Sequence, residues 1–164
     1  MARIEFPDGD LPEIARVWAL RPEMSKAVGN LADAVYNKSE LPGREREAAR
    51  MRIAQINECP ICLSWRIPEL AAQGVDEDLY AHVHEAQGWG GYSTRERLAV
   101  EYAERYALDH RNIDDAFFAE LRANFDDAEI LDLTICIANF LAFGRLTEVL
   151  RLDQECAVIP AAAG

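Results

Sequence analysis

No segment of the chain alternates apolar and polar residues with period two, so no strand is expected and the fold class reads as all-α. Positive charge is scarce: 17 Lys and Arg stand against 29 Asp and Glu, a formal net charge of −12. Such a surface repels phosphate backbones and gains nothing from anionic lipid, which argues against nucleic acid and membrane as partners. Cysteine is scarce too. Cys59, Cys62, Cys136 and Cys156 are too few and too unevenly spaced for a disulfide scaffold. No apolar run follows the opening Met-Ala-Arg-Ile-Glu-Phe-Pro, so no secretory signal is expected. The most apolar stretch, 131–144, is interrupted by Asp132 and Asn139 and is too short to span a bilayer. A cytoplasmic protein is the resulting expectation. There is no second Cys-x-x-Cys, and His82 and His84 sit two apart, a spacing that turns two rings to different sides of a helix. No metal and no cofactor are therefore expected.

What is present reads as one helical domain. The chain has 164 residues, half of them hydrophobic, enough to bury a real core. Residues 1–10 read as an arm, 11–153 as a single domain and 154–164 as a tail. Pro12 and Pro22 each suit a first helical turn, and Arg21 before Pro22 marks a break. A third helix is expected from about Gly43 to Asn57, with its charged residues on a face of their own. A fourth should carry Trp65 and Leu70 and end at Gly74, a suitable left-handed cap. Asp76 caps a short helix holding His82 and His84. Ser93 and Glu96 form a capping box, Asn112 or Asp114 opens a further helix, and Asp126 or Asp127 opens the last, to about Leu152. The expectation is a bundle of about seven or eight helices. One echo runs through it: Glu47, Ile53 and Asn57 recur as Glu129, Ile135 and Asn139, at the same offsets. Chance and a duplicated helical unit both account for so short a match.

The chemistry concentrates at Cys59-Pro-Ile-Cys62. Pro60 fits a first turn, which puts Cys59 near the cap and Cys62 at the third helical position, both on one side. The sulfurs can then close a small-ring disulfide. Free N–H groups there stabilise a thiolate, the form that attacks peroxides and disulfides. One cysteine oxidised to a sulfenic acid can condense with the other, and an outside dithiol must then reduce the pair. An inert buried pair is the competing reading, since free cysteine is among the most buried residue types.

Glu47, Cys59 twelve residues later, then Pro-Ile-Cys62 and a helix ending at Gly74 resemble the carboxymuconolactone decarboxylase superfamily, in its alkylhydroperoxidase D (AhpD-like) branch. Arg46, Ala54 and Asn57 fit the same signature, and Asp127 through Asn139 to Arg145 is similar to the family's C-terminal helix. The resemblance implies an AhpD-like helical bundle that assembles as a trimer or hexamer. It implies a thiol peroxidase that takes a hydroperoxide substrate and an external dithiol reductant. By it, Cys62 is the peroxidatic cysteine, Cys59 the resolving one and Glu47 the acid that drives proton transfer. Glu58, beside Cys59, opposes a thiolate there, in keeping with that division. The family's usual relay histidine, four residues after the second cysteine, is Arg66 in this chain. Arg66 could pair with Glu47, or hold the carboxylate of a ligand. His82 or His84 could supply a replacement imidazole, although a surface or core role is the plainer reading of each. Trp65 is expected near Cys62, as core packing before substrate contact. The substitution at Arg66 motivates an alternative: a lyase of the decarboxylase type, a small-molecule binder or a redox-sensing oligomer.

Overall fold

A computed structural model describes residues 2–152, and among them the chain is all-α, with no strand. The α-helices are α1 (Glu13–Val17), α2 (Pro22–Asn37), α3 (Gly43–Asn57), α4 (Pro60–Ser64), α5 (Glu77–Ala81), α6 (Thr94–Leu108), α7 (Asp115–Asn124) and α8 (Asp127–Leu150). Short 3-10 turns at Trp18–Leu20, Pro68–Gln73, Val83–Glu85 and His110–Asn112 complete the described helical structure. The expected tail, with Cys156, lies outside the described residues.

Most helix starts follow from local chemistry. Pro22 occupies the first turn of α2. Asp76 and Asp114 each accept the N–H three residues on, at 2.9 Å, which satisfies a donor the helix leaves open. Both α6 and α8 open on reciprocal capping boxes, Ser93 with Glu96 and Asp126 with Glu129. The expected fourth helix differs from the structure. It breaks after five residues, where Trp65 turns extended with ψ 131°. Pro68 is the reason: the residue before it, Ile67, is held at φ −113° and ψ 97°, away from helical angles. The chain resumes only as a 3-10 turn, which does end at left-handed Gly74, φ 77°.

α3 is the central helix, and its charged residues do not form a solvent face. One side of it, with Ala49 and Ile53, packs into a core made with α6, α7 and α8. The other, with Ala48, Met51 and Ala54, packs into a second core built on Leu70, Leu79, Val83 and Tyr92. Buried on two sides, α3 also buries Glu45, Arg46, Glu47 and Arg50. Partners from other helices make this tolerable. Arg95 of α6 donates to Glu45 at 2.7 Å, and Arg44 donates to Glu96 at 2.5 Å. α8 is long and apolar enough to cross a membrane by length and composition alone. Here it packs on α2, α3, α6 and α7. It approaches α3 tightly at Gly144, where a Cβ would stand 2.5 Å from Asn57 Nδ2. Asn57 uses that approach: Nδ2 donates to the carbonyls of Phe140 and Leu141, and Oδ1 accepts from Arg145 Nε at 3.1 Å. The N-terminal segment is tied to the far end of α8, with Arg3 Nη1 donating to the Val149 carbonyl at 3.0 Å.

Candidate functional site

The end of α3 delivers the cysteine pair. Glu58 takes the left-handed conformation, φ 54°, and caps the helix, so the chain turns sharply into Cys59. Cys59 is the N-cap of α4 and Pro60 its first residue, so Cys62 falls at the third position. Cys62 N–H donates to Cys59 Sγ at 3.3 Å, and the two sulfurs are joined in a disulfide across a Cα–Cα distance of 5.3 Å. A five-residue helix has little dipole to offer. The local field on the pair therefore comes from individual N–H groups and from the buried charges described next. The two cysteines differ in access. Cys59 is fully buried, its sulfur 3.7 Å from the Thr147 hydroxyl of α8, while Cys62 is half-buried.

Glu47, one helix upstream, is fully buried. Its Oε2 accepts from Arg50 Nε at 2.7 Å and from the Tyr80 hydroxyl at 2.9 Å, while Oε1 has no partner among the described residues. Arg50 spends its other donors on the chain around the disulfide: Nη1 donates to the Cys62 carbonyl at 2.6 Å and Nη2 to the Trp65 carbonyl at 3.2 Å. Glu47 is thus coupled to the Cys62 backbone through one guanidinium. Burial, reinforced by the Glu47 charge and hydrogen bond, pushes the Tyr80 hydroxyl up to about 12. It keeps its proton and serves Glu47 as a donor.

Arg66 does not pair with Glu47. It donates to both carboxylate oxygens of Glu77, at 2.6 and 3.0 Å, and its guanidinium lies 4.2 Å from the centre of the Tyr80 ring. The physical reason is the break at Trp65: without a continuous helix, Arg66 is carried out toward α5, and Arg50, one turn beyond Glu47 on the same helix, takes the buried position. Arg66 is therefore not placed as a carboxylate clamp beside Glu47. His82 stacks on Trp89 at 4.3 Å, and His84 is exposed. Neither bonds Glu47 or Cys62, and neither lines the cavity beside the pair.

That cavity encloses about 400 Å³ between the first helical segment, α2, α3, α4 and α8. Cys62, Arg50 and Trp65 stand on its wall. Trp18, Ile53, Phe140 and Phe143 make most of the rest apolar. Trp65 is exposed rather than packed in the core, and borders the cavity. Ser25, Tyr36 and Asn139 also line it, and the buried Asn139 Oδ1 has no partner among the described residues. Burial pushes Tyr36 up to about 12, so it too stays neutral. Sequence pattern alone marks Asn139 only as part of an echo and Arg50 only as part of a charged face. A signal for Arg50 is nonetheless present, since a position three residues after Glu47 on a helix places the two side chains together.

An all-helical bundle that buries one cysteine of a Cys-x-x-Cys pair and turns the other toward an apolar cavity is an AhpD-like architecture. The chain belongs to the carboxymuconolactone decarboxylase family, whose model matches residues 22–105. It is 21% identical over 131 residues to the uncharacterized protein YdfG of Bacillus subtilis (strain 168), covering 79% of this chain and 88% of YdfG. Among solved structures it is similar to an AhpD-core, uncharacterized peroxidase-related protein from Ralstonia eutropha JMP134. That match has a TM-score of 0.75 and 19% identity, and covers 92% of this chain and 90% of the other. It is similar as well to the debrominase Bmp8, in a variant form complexed with 2,3,4-tribromopyrrole, with a TM-score of 0.74 and 19% identity over 88% of this chain and 77% of Bmp8.

Proposed function

We propose that the chain is a thiol-dependent hydroperoxide reductase that cycles Cys59 and Cys62 between dithiol and disulfide, in the cytoplasm. The observation that carries this reading is the asymmetry of the closed pair: Cys62 borders the cavity and Cys59 is sealed behind it. The Cys62 thiolate attacks the terminal oxygen of a hydroperoxide. An S–O bond forms, the O–O bond breaks, and the alkoxide leaves and takes up a proton as an alcohol. Cys62 is then a sulfenic acid. The Cys59 sulfur attacks it, forming the S–S bond and releasing water with the Cys59 proton. An external dithiol supplies two electrons and two protons to reopen the disulfide. Glu47, held on Oε2 by Arg50 and Tyr80 with Oε1 unpaired among the described residues, is the acid of the site, and the proton released by the Cys62 thiol passes to solvent and returns to the departing alkoxide.

The test is peroxide consumption with dithiothreitol as reductant. Wild type should turn over and Cys62→Ser should lose nearly all activity, since removing a catalytic nucleophile costs up to about a millionfold. Equal rates in the two proteins would sink the reading.

The cavity supports a second reading, a family member that binds an organic ligand beside the pair without reducing peroxide. No histidine is among the residues that line it, and Bmp8, of the same fold, holds a brominated pyrrole. A homo-oligomer, trimer or hexamer, completes the proposal. Its support is the apolar surface left open on α8 at Leu131 and Ile135 and on α2 at Met24 and Leu31.

A further inference from the structure

Arg50 is almost fully buried, and its donors point two ways. Nε faces Glu47 at 2.7 Å, while Nη1 and Nη2 reach the carbonyls of Cys62 and Trp65 at 2.6 and 3.2 Å. Arg50 and Cys62 both stand on the cavity wall, and Glu47 is not among the residues that line it. The positive end of this buried ion pair is therefore the end turned toward the cysteines. None of these bonds involves a sulfur, so opening the disulfide takes none of them away. Charge around Cys62 is otherwise balanced, screened or absent. From α2, Tyr36 keeps its proton, pushed up to about 12 by burial. From α5, Tyr80 keeps its proton as well, and Glu77 is paired with Arg66, the partly exposed residue that follows α4. Glu58, at the end of α3, is exposed, and solvent and salt screen it. The first helical segment and α8 present uncharged residues to the cavity, Trp18, Asn139 and Thr147 among them. A guanidinium does not give up its proton in a protein. It can favour a thiolate by charge, an effect that burial strengthens, but it cannot carry the thiol's proton.

We infer that Arg50 is the group that stabilises the Cys62 thiolate once the disulfide is opened, and that Glu47 acts through Arg50, as the anchor that aims it, rather than by taking the thiol's proton. This rests on the reading that Cys62 is the attacking cysteine, and it names the charge that serves it. Glu47 is then a positioning residue. The inference also separates the two partners by sign. Removing a positive charge beside a thiol makes it a weaker acid, and removing a negative charge makes it a stronger one.

The thiol can be followed without peroxide. The reduced protein is alkylated with iodoacetamide across a range of pH, and mass spectrometry of the digested chain reads the label on Cys62. The rate follows the thiolate fraction, so its inflection marks the thiol's ionisation. Arg50→Gln should raise that inflection by about one pH unit or more, slowing alkylation about tenfold at a pH below both inflections. Arg50→Lys restores the charge and should fall closer to wild type than to Arg50→Gln. Glu47→Gln should lower the inflection; a carboxylate that took the proton itself would give slower alkylation when removed. Arg50→Gln leaves Glu47 charged inside without its cation. The double variant Glu47→Gln with Arg50→Gln removes both charges, so it keeps the test open if the single variant does not fold, and it too should stand above wild type. A purely structural Arg50 would move the melting temperature and leave the inflection in place. An unchanged inflection in Arg50→Gln or in the double variant, Arg50→Lys matching Arg50→Gln, or Glu47→Gln at or above wild type overturns the inference. If the inflections move as stated and peroxide is not consumed, the peroxidase reading fails and the inference stands. If peroxide is consumed and the inflections coincide, the reverse holds.

Discussion

α3 and α8 carry the same Glu, Ile and Asn at the same offsets and treat them in opposite ways. On α3, Glu47 is fully buried and bound by Arg50 and Tyr80; on α8, Glu129 is partly exposed, closes a capping box and pairs with Arg95. Ile53 is 1% exposed and Ile135 43%. Asn57 has both ends of its amide bonded, while the Asn139 Oδ1 has no partner among the described residues. The charge-rich helix is the one buried on two sides, and the apolar helix is the one that leaves large apolar residues exposed. Composition therefore misleads about both. Buried charge on α3 is tolerable because Glu45, Glu47 and Arg50 each have a charged partner, and such an arrangement at a cavity marks chemistry as well as stability. Leu131 and Ile135 on α8 are large apolar residues left exposed.

The largest effect should come from breaking the α3 arrangement. Glu47→Ala leaves Arg50 charged and the Tyr80 hydroxyl unbonded in the interior, a change that costs about 3–5 kcal/mol. For a chain of this size that lowers the melting temperature by roughly 10 °C. Glu129→Ala, at the matching position on α8, removes an exposed pair and one capping contact, at about 1 kcal/mol. Thermal melts of the two variants check the contrast directly. Similar shifts in both would mean that the buried and exposed carboxylates are equivalent in energy, and the comparison would break.

A smaller effect is expected where the two helices meet. Gly144→Ala puts a methyl group 2.5 Å from Asn57 Nδ2. Asn57 is held to α8 through two carbonyls and Arg145, so it cannot swing aside without losing bonds. Overpacking of this kind costs about 1–3 kcal/mol. The double variant Gly144→Ala with Asn57→Ala should lose less than the sum of the singles, because removing the amide clears the methyl group's space. A strictly additive pair, read from denaturant midpoints, would remove the close contact as the reason for glycine.

The α3–α8 contrast also explains what sequence can and cannot show. The all-α class, the capping boxes at Ser93 and Asp126 and the placement of Cys59 and Cys62 in the first turn of α4 are local features. Each follows from residues within four positions of one another, and each is legible. The family resemblance, carried by Glu47, Asn57, Cys59 and Cys62, is legible because those residues lie within one short stretch. The course of the chain after Cys62 is misread because Gly74 draws attention as a helix end while Pro68, which breaks the helix first, goes unweighed. Of the roles left open for Arg66, the pair with Glu47 is not the one the structure makes: Arg50 fills it, and Arg66 bonds Glu77. The burial of the α3 charges is not legible at all. It depends on α6 supplying Arg95 and Glu96, 50 and 52 residues from their partners, a pairing no local pattern announces. Likewise, nothing in the sequence around Asn139 distinguishes an amide on a cavity wall from one facing a helix partner.

The smallest effect on stability is expected on the open side of α8, and there the readout changes from energy to assembly. Leu131 and Ile135 are 60% and 43% exposed, one turn apart on the same helix edge. Replacing both by serine removes little buried area in a single chain, so folding stability measured at high dilution should move by no more than about 0.5 kcal/mol. If that edge is covered by a second copy in the assembled protein, the same substitutions expose serine hydroxyls to an apolar interface and weaken association at every copy. Wild type should then sediment as a multiple of the 18.4 kDa chain, and the double variant should sediment at or near the chain mass. Ile53→Ser, the matching change on α3, should instead unfold the protein, since its side chain is sealed in the core. Wild type and the α8 variant sedimenting alike as single chains would show that the exposed apolar edge needs no cover, and that the asymmetry between the two helices concerns only the buried site on α3.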